Sequence, residues 1–98
     1  MITVTQSETD KCCLSVTEEM SIYNAAAFYD ELKQYIDKYN TVELDLSQVN
    51  ELDTSCFQVL LRSKLISQKE NKNFQIVSHS DESKEIIDLL NVSSLFEH

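Results

Sequence analysis

The spacing of apolar residues switches repeatedly between two periods along this chain, and that alternation restricts the folds open to it more than any other feature. Residues 2–5 alternate apolar and polar. Residues 12–17 do so again after a polar turn at residues 8–11, as two half-buried strands would. From Ile22 the step lengthens to three and four. Ala25, Phe28, Leu32, Tyr35, Ile36 and Tyr39 then share one face, and Asp30, Glu31, Lys33, Gln34, Asp37 and Lys38 take the other. This predicts an amphipathic helix with Asn24 or Ser21 as its N-cap.

The short period returns at residues 42–46, and a polar connection over 47–53 leads into a second helix from Thr54 to about Glu70. Its apolar side is expected to carry Phe57, Leu60, Leu61 and Leu65. Asn71, Lys72 and Asn73 mark its stop, and residues 74–78 form a fourth strand. A third helix is expected over 81–90, capped by Ser80 or Asp81, with Ile86, Ile87 and Leu90 buried and Leu95 and Phe96 tucked against the sheet. The order β-β-α-β-α-β-α over 98 residues predicts one α/β domain, 1–98. Strand–helix–strand units favour right-handed crossovers and parallel pairing. The expected architecture is therefore a small mixed four-stranded sheet with about three helices packed on one face.

Such a chain must turn several times, yet it contains no glycine and no proline. Asn40, Asn50, Asn71, Asn73 and Asn91 are the residues best able to replace glycine, because asparagine tolerates the left-handed conformation. The lack of glycine also removes every glycine-rich phosphate loop, so no cofactor or nucleotide site is expected.

Charge narrows the partners. Seventeen acidic residues against eight basic give −9, which repels nucleic-acid backbones and anionic lipid surfaces. No apolar run reaches the roughly 18 residues of a membrane helix, and the start, Met1-Ile2-Thr3-Val4, shows no secretory pattern. The expectation is a cytoplasmic protein without direct membrane insertion. Cys12, Cys13 and Cys56 match no zinc spacing or disulfide framework and are expected as reduced thiols. Neighbouring Cys12 and Cys13 would point to opposite faces of a strand. His79 and His98 have no ligand partners at metal spacing, so no metal is expected. Nothing in the sequence brings a histidine to Ser55 or Cys56, so no catalytic set can be assembled and no enzyme activity is expected.

Three stretches resemble the STAS domain, the fold of bacterial anti-sigma factor antagonists. Residues 18–26, Glu-Glu-Met-Ser-Ile-Tyr-Asn-Ala-Ala, are similar to that family's approach to its first helix. Residues 42–55, Val-Glu-Leu-Asp-Leu-Ser-Gln-Val-Asn-Glu-Leu-Asp-Thr-Ser, resemble its central strand and the Asp-Leu-Ser to Asp-Ser/Thr-Ser/Ala-Gly segment. Residues 86–96 are similar to its closing helix and Leu-Phe end. The resemblance implies a non-enzymatic module that binds a protein partner, a serine kinase of the anti-sigma type, with a phosphatase to reset it. The residue that such a kinase phosphorylates maps onto Ser55. Cys56 stands where the family carries glycine, and Ser21 where many antagonists carry aspartate. Other STAS proteins serve ABC-type phospholipid transport complexes, which is the alternative reading.

Local chemistry points to the same junction. Asp53, Thr54, Ser55 and Cys56 sit where a polar loop becomes a helix, with free backbone N–H groups and the positive end of the helix dipole expected there. Asp, Thr and Ser are also common capping residues. Cys56 at a helix start has, besides its reading as a small residue replacing glycine, that of a redox-sensitive thiol with a lowered pKa. Ser21, Asn24, Asp53, Thr54, Ser55 and Cys56 are the expected partner-binding residues, with Ser55 as the phosphorylation site.

Overall fold

The computed structural model describes residues 2–16, 21–81 and 84. Strands β1 (Ile2–Ser7) and β2 (Lys11–Val16) form an antiparallel hairpin. Helix α1 (Ala25–Lys38) leads to β3 (Thr41–Leu46), and helix α2 (Thr54–Lys69) to β4 (Asn73–His79). The sheet runs β1-β2-β3-β4, with β2/β3 and β3/β4 parallel. The mixed four-stranded sheet is as expected. Two helices, not three, accompany it among the described residues. The helix expected over 81–90 and the Leu95–Phe96 contact lie outside them, apart from Asp81 and Lys84.

Alternation along the strands separates the two sheet faces. Cys12, Leu14, Val16, Val42, Leu44, Leu46, Phe74 and Ile76 point to the buried side, where Phe28, Leu32 and Ile36 of α1 and Phe57 and Leu60 of α2 complete one core. Cys13, Glu43, Asp45 and Gln75 lie on the other face and are half-buried. Cys12 and Cys13 do face opposite ways, and all three cysteines are free. Bulges in β1, between Val4 and Gln6, and in β4, opposite Leu44 and Asp45, interrupt both edge strands, which discourages edge-to-edge pairing.

The turn after α2 shows how the chain manages without glycine. Asn71 has φ of 59°, the only positive φ among the described residues. The Asn71 N–H donates to Gln68 O and the Lys72 N–H to Ser67 O, the double bond pattern of a Schellman cap. That cap aims Lys72 back at α1, where its Nζ donates to Ile36 O at 2.7 Å and Asp37 O at 2.8 Å. A cation thus closes the negative end of the neighbouring helix.

Helix α2 differs from its expected pattern. Leu65 is 55% exposed and Leu61 half-buried, whereas Ser63, Lys64 and Ser67 join Cys56, Phe57 and Leu60 on the inner face. Small serines let the second half of α2 lie close, and the Ser67 hydroxyl satisfies itself on Ser63 O at 2.8 Å. Lys64 Nζ donates to Phe74 O at 2.9 Å. Because the Asn73 N–H bonds Asn40 O on the β3 side, the alternation of a strand turns the Phe74 carbonyl to the open edge of β4. Lys64 therefore covers a free edge acceptor, and burial lowers its own pKa. Leu60→Ala is expected to cost about 2–5 kcal/mol and Leu65→Ala less than about 0.5 kcal/mol in urea unfolding. Equal costs would show that the helix is turned the other way.

Candidate functional site

Because β2 and β3 run parallel, the segments that follow them leave the same end of the sheet, and the starts of α1 and α2 become neighbours. The second connection is pinned from below. Val49 and Leu52 are buried, and the Ser80 hydroxyl donates to Val49 O at 2.6 Å. The Ser47 N–H turns back to Asp45 Oδ1 at 2.8 Å, as a turn residue should. Two apolar residues inside a polar stretch were the sequence signal for this anchoring, and reading residues 47–53 as a plain polar connection missed it.

The cap of α2 is Asp53. Its Oδ1 accepts from the Ser55 N–H at 3.1 Å, the Cys56 N–H at 3.3 Å and the Ser55 hydroxyl at 2.5 Å. The Ile22 N–H, ahead of α1, also supports this carboxylate. Led by the Ser55 side chain, these donors hold the Asp53 carboxyl below its usual 3.8 against the opposing effect of desolvation. The expectation of free N–H groups at residues 55 and 56 is corrected here: Asp53 already occupies them.

Cys56 differs more sharply. It is buried, and burial, reinforced by the nearby Asp53 charge, pushes its thiol pKa up to about 11. The helix field is outweighed, so the thiol stays protonated and donates to Ser21 O at 3.2 Å. It is neither a reactive thiolate nor a surface that a partner can touch in this conformation. Its action is to tie the start of α2 to the segment before α1.

Asn24 caps α1 by position, without a side-chain capping bond, and its N–H donates to Ser21 O at 3.0 Å. Ser21, Asn24, Asp53 and Ser55 are half-buried and Thr54 is exposed, so the structure brings together the predicted set with Cys56 beneath it. Beside them stand two residues that were not predicted as contacts, Ile22 at 66% and Tyr23 at 93% exposure. The amphipathic period was read as beginning at Ile22, and Tyr23 was not assigned to its apolar face. Their exposure follows from α1 starting only at Ala25.

A groove of about 370 Å³ runs between the helices, lined by Ala25, Ala26 and Tyr29 of α1 and by Ser55, Gln58 and Arg62 of α2. Ser55 thus lies half-buried on an open wall, not sealed in the core. Arg62 is exposed, with its guanidinium carbon 5.9 Å from the centre of the Tyr29 ring, a cation–π distance.

This arrangement has known counterparts. The family model described as "Mlab, STAS domain" matches residues 3–97, and the chain belongs to that family. The fold is similar to the unphosphorylated form of the anti-sigma factor antagonist SpoIIAA, with a TM-score of 0.82 at 7% identity, covering 99% of this chain and 86% of that one. It is also similar to the Bacillus cell fate determinant SpoIIAA in its phosphorylated form, with a TM-score of 0.76 at 7% identity and coverage of 99% and 89%. A putative anti-sigma factor antagonist from Thermotoga maritima gives 0.84 at 22% identity, covering 94% of this chain and 80% of that one. At such identities the likeness speaks for the fold. A search of curated proteins finds no significant match.

Asp53→Ala is expected to cost about 1 kcal/mol at neutral pH, the usual loss for a cap. A lowered carboxyl pKa in the folded state means that the unfolded chain binds more protons as the pH drops. Its contribution is therefore complete above 3.8 and fades as pH falls through the folded value. In urea titrations the gap between wild type and Asp53→Ala should close below about pH 4. A gap that stays constant there would mean that the carboxylate is not the stabilising group.

Proposed function

We propose that this chain is a partner-switching module whose docking surface is formed by Ser21, Asn24, residues 53–55 and the exposed Ile22 and Tyr23, and that phosphorylation of Ser55 turns it off. The observation that carries this reading is the position of Ser55, half-buried on the wall of an open groove at the junction of both helix starts. Family membership and the likeness to SpoIIAA in phosphorylated and unphosphorylated forms support it. Tyr23 has the character of an interface anchor, a rigid aromatic with a polar tip.

The chemistry is supplied by the partner, a kinase-type anti-sigma regulator holding ATP. Ser55 Oγ attacks the γ-phosphorus, the new O–P bond forms as the bond to the bridging oxygen of ADP breaks, and the hydroxyl proton passes to the Asp53 carboxylate and on to water. A phosphatase reverses the modification by hydrolysis. The phosphate brings a charge of about −1.5 to −2. If a docked partner covers it unpaired, the penalty is on the order of 3–5 kcal/mol, or two to three decades of affinity at about 1.4 kcal/mol each. The module stays folded while its surface changes.

One observation favours a second reading, a STAS subunit of an ABC-type phospholipid transport complex that grips its ATPase through the same surface without phosphorylation. The Ser55 hydroxyl is already engaged as a donor to Asp53, a structural use that needs no modification.

The readings separate experimentally. On incubation with an anti-sigma regulator of the kinase type from the same genome and ATP, mass spectrometry should place one phosphate on Ser55. In calorimetry Ser55→Ala should keep the partner's affinity, and Ser55→Asp should lower it by about tenfold or more. Modification elsewhere or none, or equal affinity for both variants, defeats the switch. Co-purification with an ABC ATPase and full transport by Ser55→Ala would establish the second reading.

A further inference from the structure

The chain has a single arginine, Arg62, and it lines the same groove as Ser55. Seven residues make almost two turns of α-helix, so residues 55, 58, 59 and 62 share one face. The side chain of Arg62 leans towards the N-terminus of α2, as helical side chains do, and therefore towards Ser55. Among the described residues Arg62 makes no ion pair, and its guanidinium lies over the Tyr29 ring. Residues 47–56 contain no basic residue, which hid this from the sequence, because the chain's one guanidinium belongs to the next two turns of the helix.

The helix start has little left to offer a phosphate. A phosphoryl group on Ser55 removes the hydroxyl proton now donated to Asp53, and the N–H groups of Ser55 and Cys56 are taken by the same carboxylate. Two anions would then compete for one set of donors. Ala25 and Ala26, on the α1 wall, leave open volume alongside Ser55. Arg62 is the only cationic side chain lining that space among the described residues, and a guanidinium fork matches phosphate oxygens in a bidentate pair.

We infer that the α1–α2 groove is the seat of the phosphoryl group itself. On modification of Ser55, Arg62 leaves the Tyr29 ring and clamps the phosphate, with the Gln58 amide as a second donor. The inference deepens the proposed switch and rests on Ser55 being the modified residue. Under it, phosphorylation adds negative charge at the docking surface and withdraws the one guanidinium exposed in the adjoining groove.

The test installs phosphoserine at position 55 of the full chain by genetic encoding, which needs no kinase. Phosphorus NMR then follows the second ionisation of the phosphate, ordinarily near pH 6, in wild type, Arg62→Gln and Arg62→Lys. A paired guanidinium favours the dianion, so the midpoint in wild type should lie about half a unit or more below that of Arg62→Gln. Arg62→Lys should fall between them, and the Arg62 Nε–H resonance should move on modification. Midpoints agreeing within about 0.1 unit, in variants whose melting curves are unchanged, overturn the clamp. Inorganic phosphate and ATP are titrated into the unmodified chain as controls, and neither should shift the Arg62 resonance. Saturation by either below about 1 mM would make the groove a site for free anions and overturn the inference. Because the phosphate is installed without a kinase, failure of the clamp is distinguishable from failure of a kinase to modify Ser55, which defeats the proposed switch alone.

Discussion

One carboxylate organises the end of this molecule where its two helices begin. Asp53 takes the N–H groups of Ser55 and Cys56, the hydroxyl of Ser55 and, across the junction, the N–H of Ile22. Directly below, the Cys56 thiol reaches Ser21 O. Far along the same helix pair, Lys72 closes the carboxyl end of α1 on Ile36 O and Asp37 O. The helices are therefore fastened to each other at both ends by polar groups, while Phe28, Leu32, Phe57 and Leu60 hold them to the sheet between. A chain without glycine or proline has few stiff or tightly bent loops at its disposal. Side-chain caps take over the task of fixing where each element starts and stops.

The strands and α1 were legible because their burial is one-sided and their periods are clean. Phe28, Leu32 and Ile36 are buried where the three-four spacing placed them. Helix α2 was not legible to the same degree, because polarity and burial part company along it. Lys64 and Ser67 face inward since a backbone carbonyl on the edge of β4 and one on the helix itself receive their donors, whereas Ser63 is buried with its hydroxyl unpaired among the described residues. Leu65 stays outside. No count of apolar residues reveals that a lysine is needed at a sheet edge. The junction at residues 53–56 was legible as a place, from turn chemistry meeting helical period. The division of labour within it was not: which residue caps, which is buried and which remains open depends on the neighbouring connection before α1.

Cys56 illustrates the difference between a position and an environment. At a helix start a thiol gains from the dipole. Here desolvation acts in the opposite sense and wins, so the sulfur is a neutral donor inside the fold. The same contrast separates Ser55 from its neighbour one residue on. Their backbone N–H groups share one acceptor, yet one side chain faces an open groove and the other the core.

This arrangement gives the proposed switch a built-in direction. Unmodified, the Ser55 hydroxyl completes the set of donors around Asp53, so the resting state is locally satisfied. With a phosphate attached, Asp53 loses a donor and gains a neighbour of like charge, in a chain that already carries −9. At Asp53, therefore, the modified state is the less satisfied of the two, whatever pairing the phosphate finds with Arg62 in the groove. Removing the phosphate restores a bond as well as relieving repulsion, which makes the unmodified docking surface the state the molecule falls back to. A cap that was only a neutral hydrogen-bond acceptor would hold the helix start as well but would supply none of this bias. The negative charge on Asp53 thus links the stability of the junction to the reversibility of its modification.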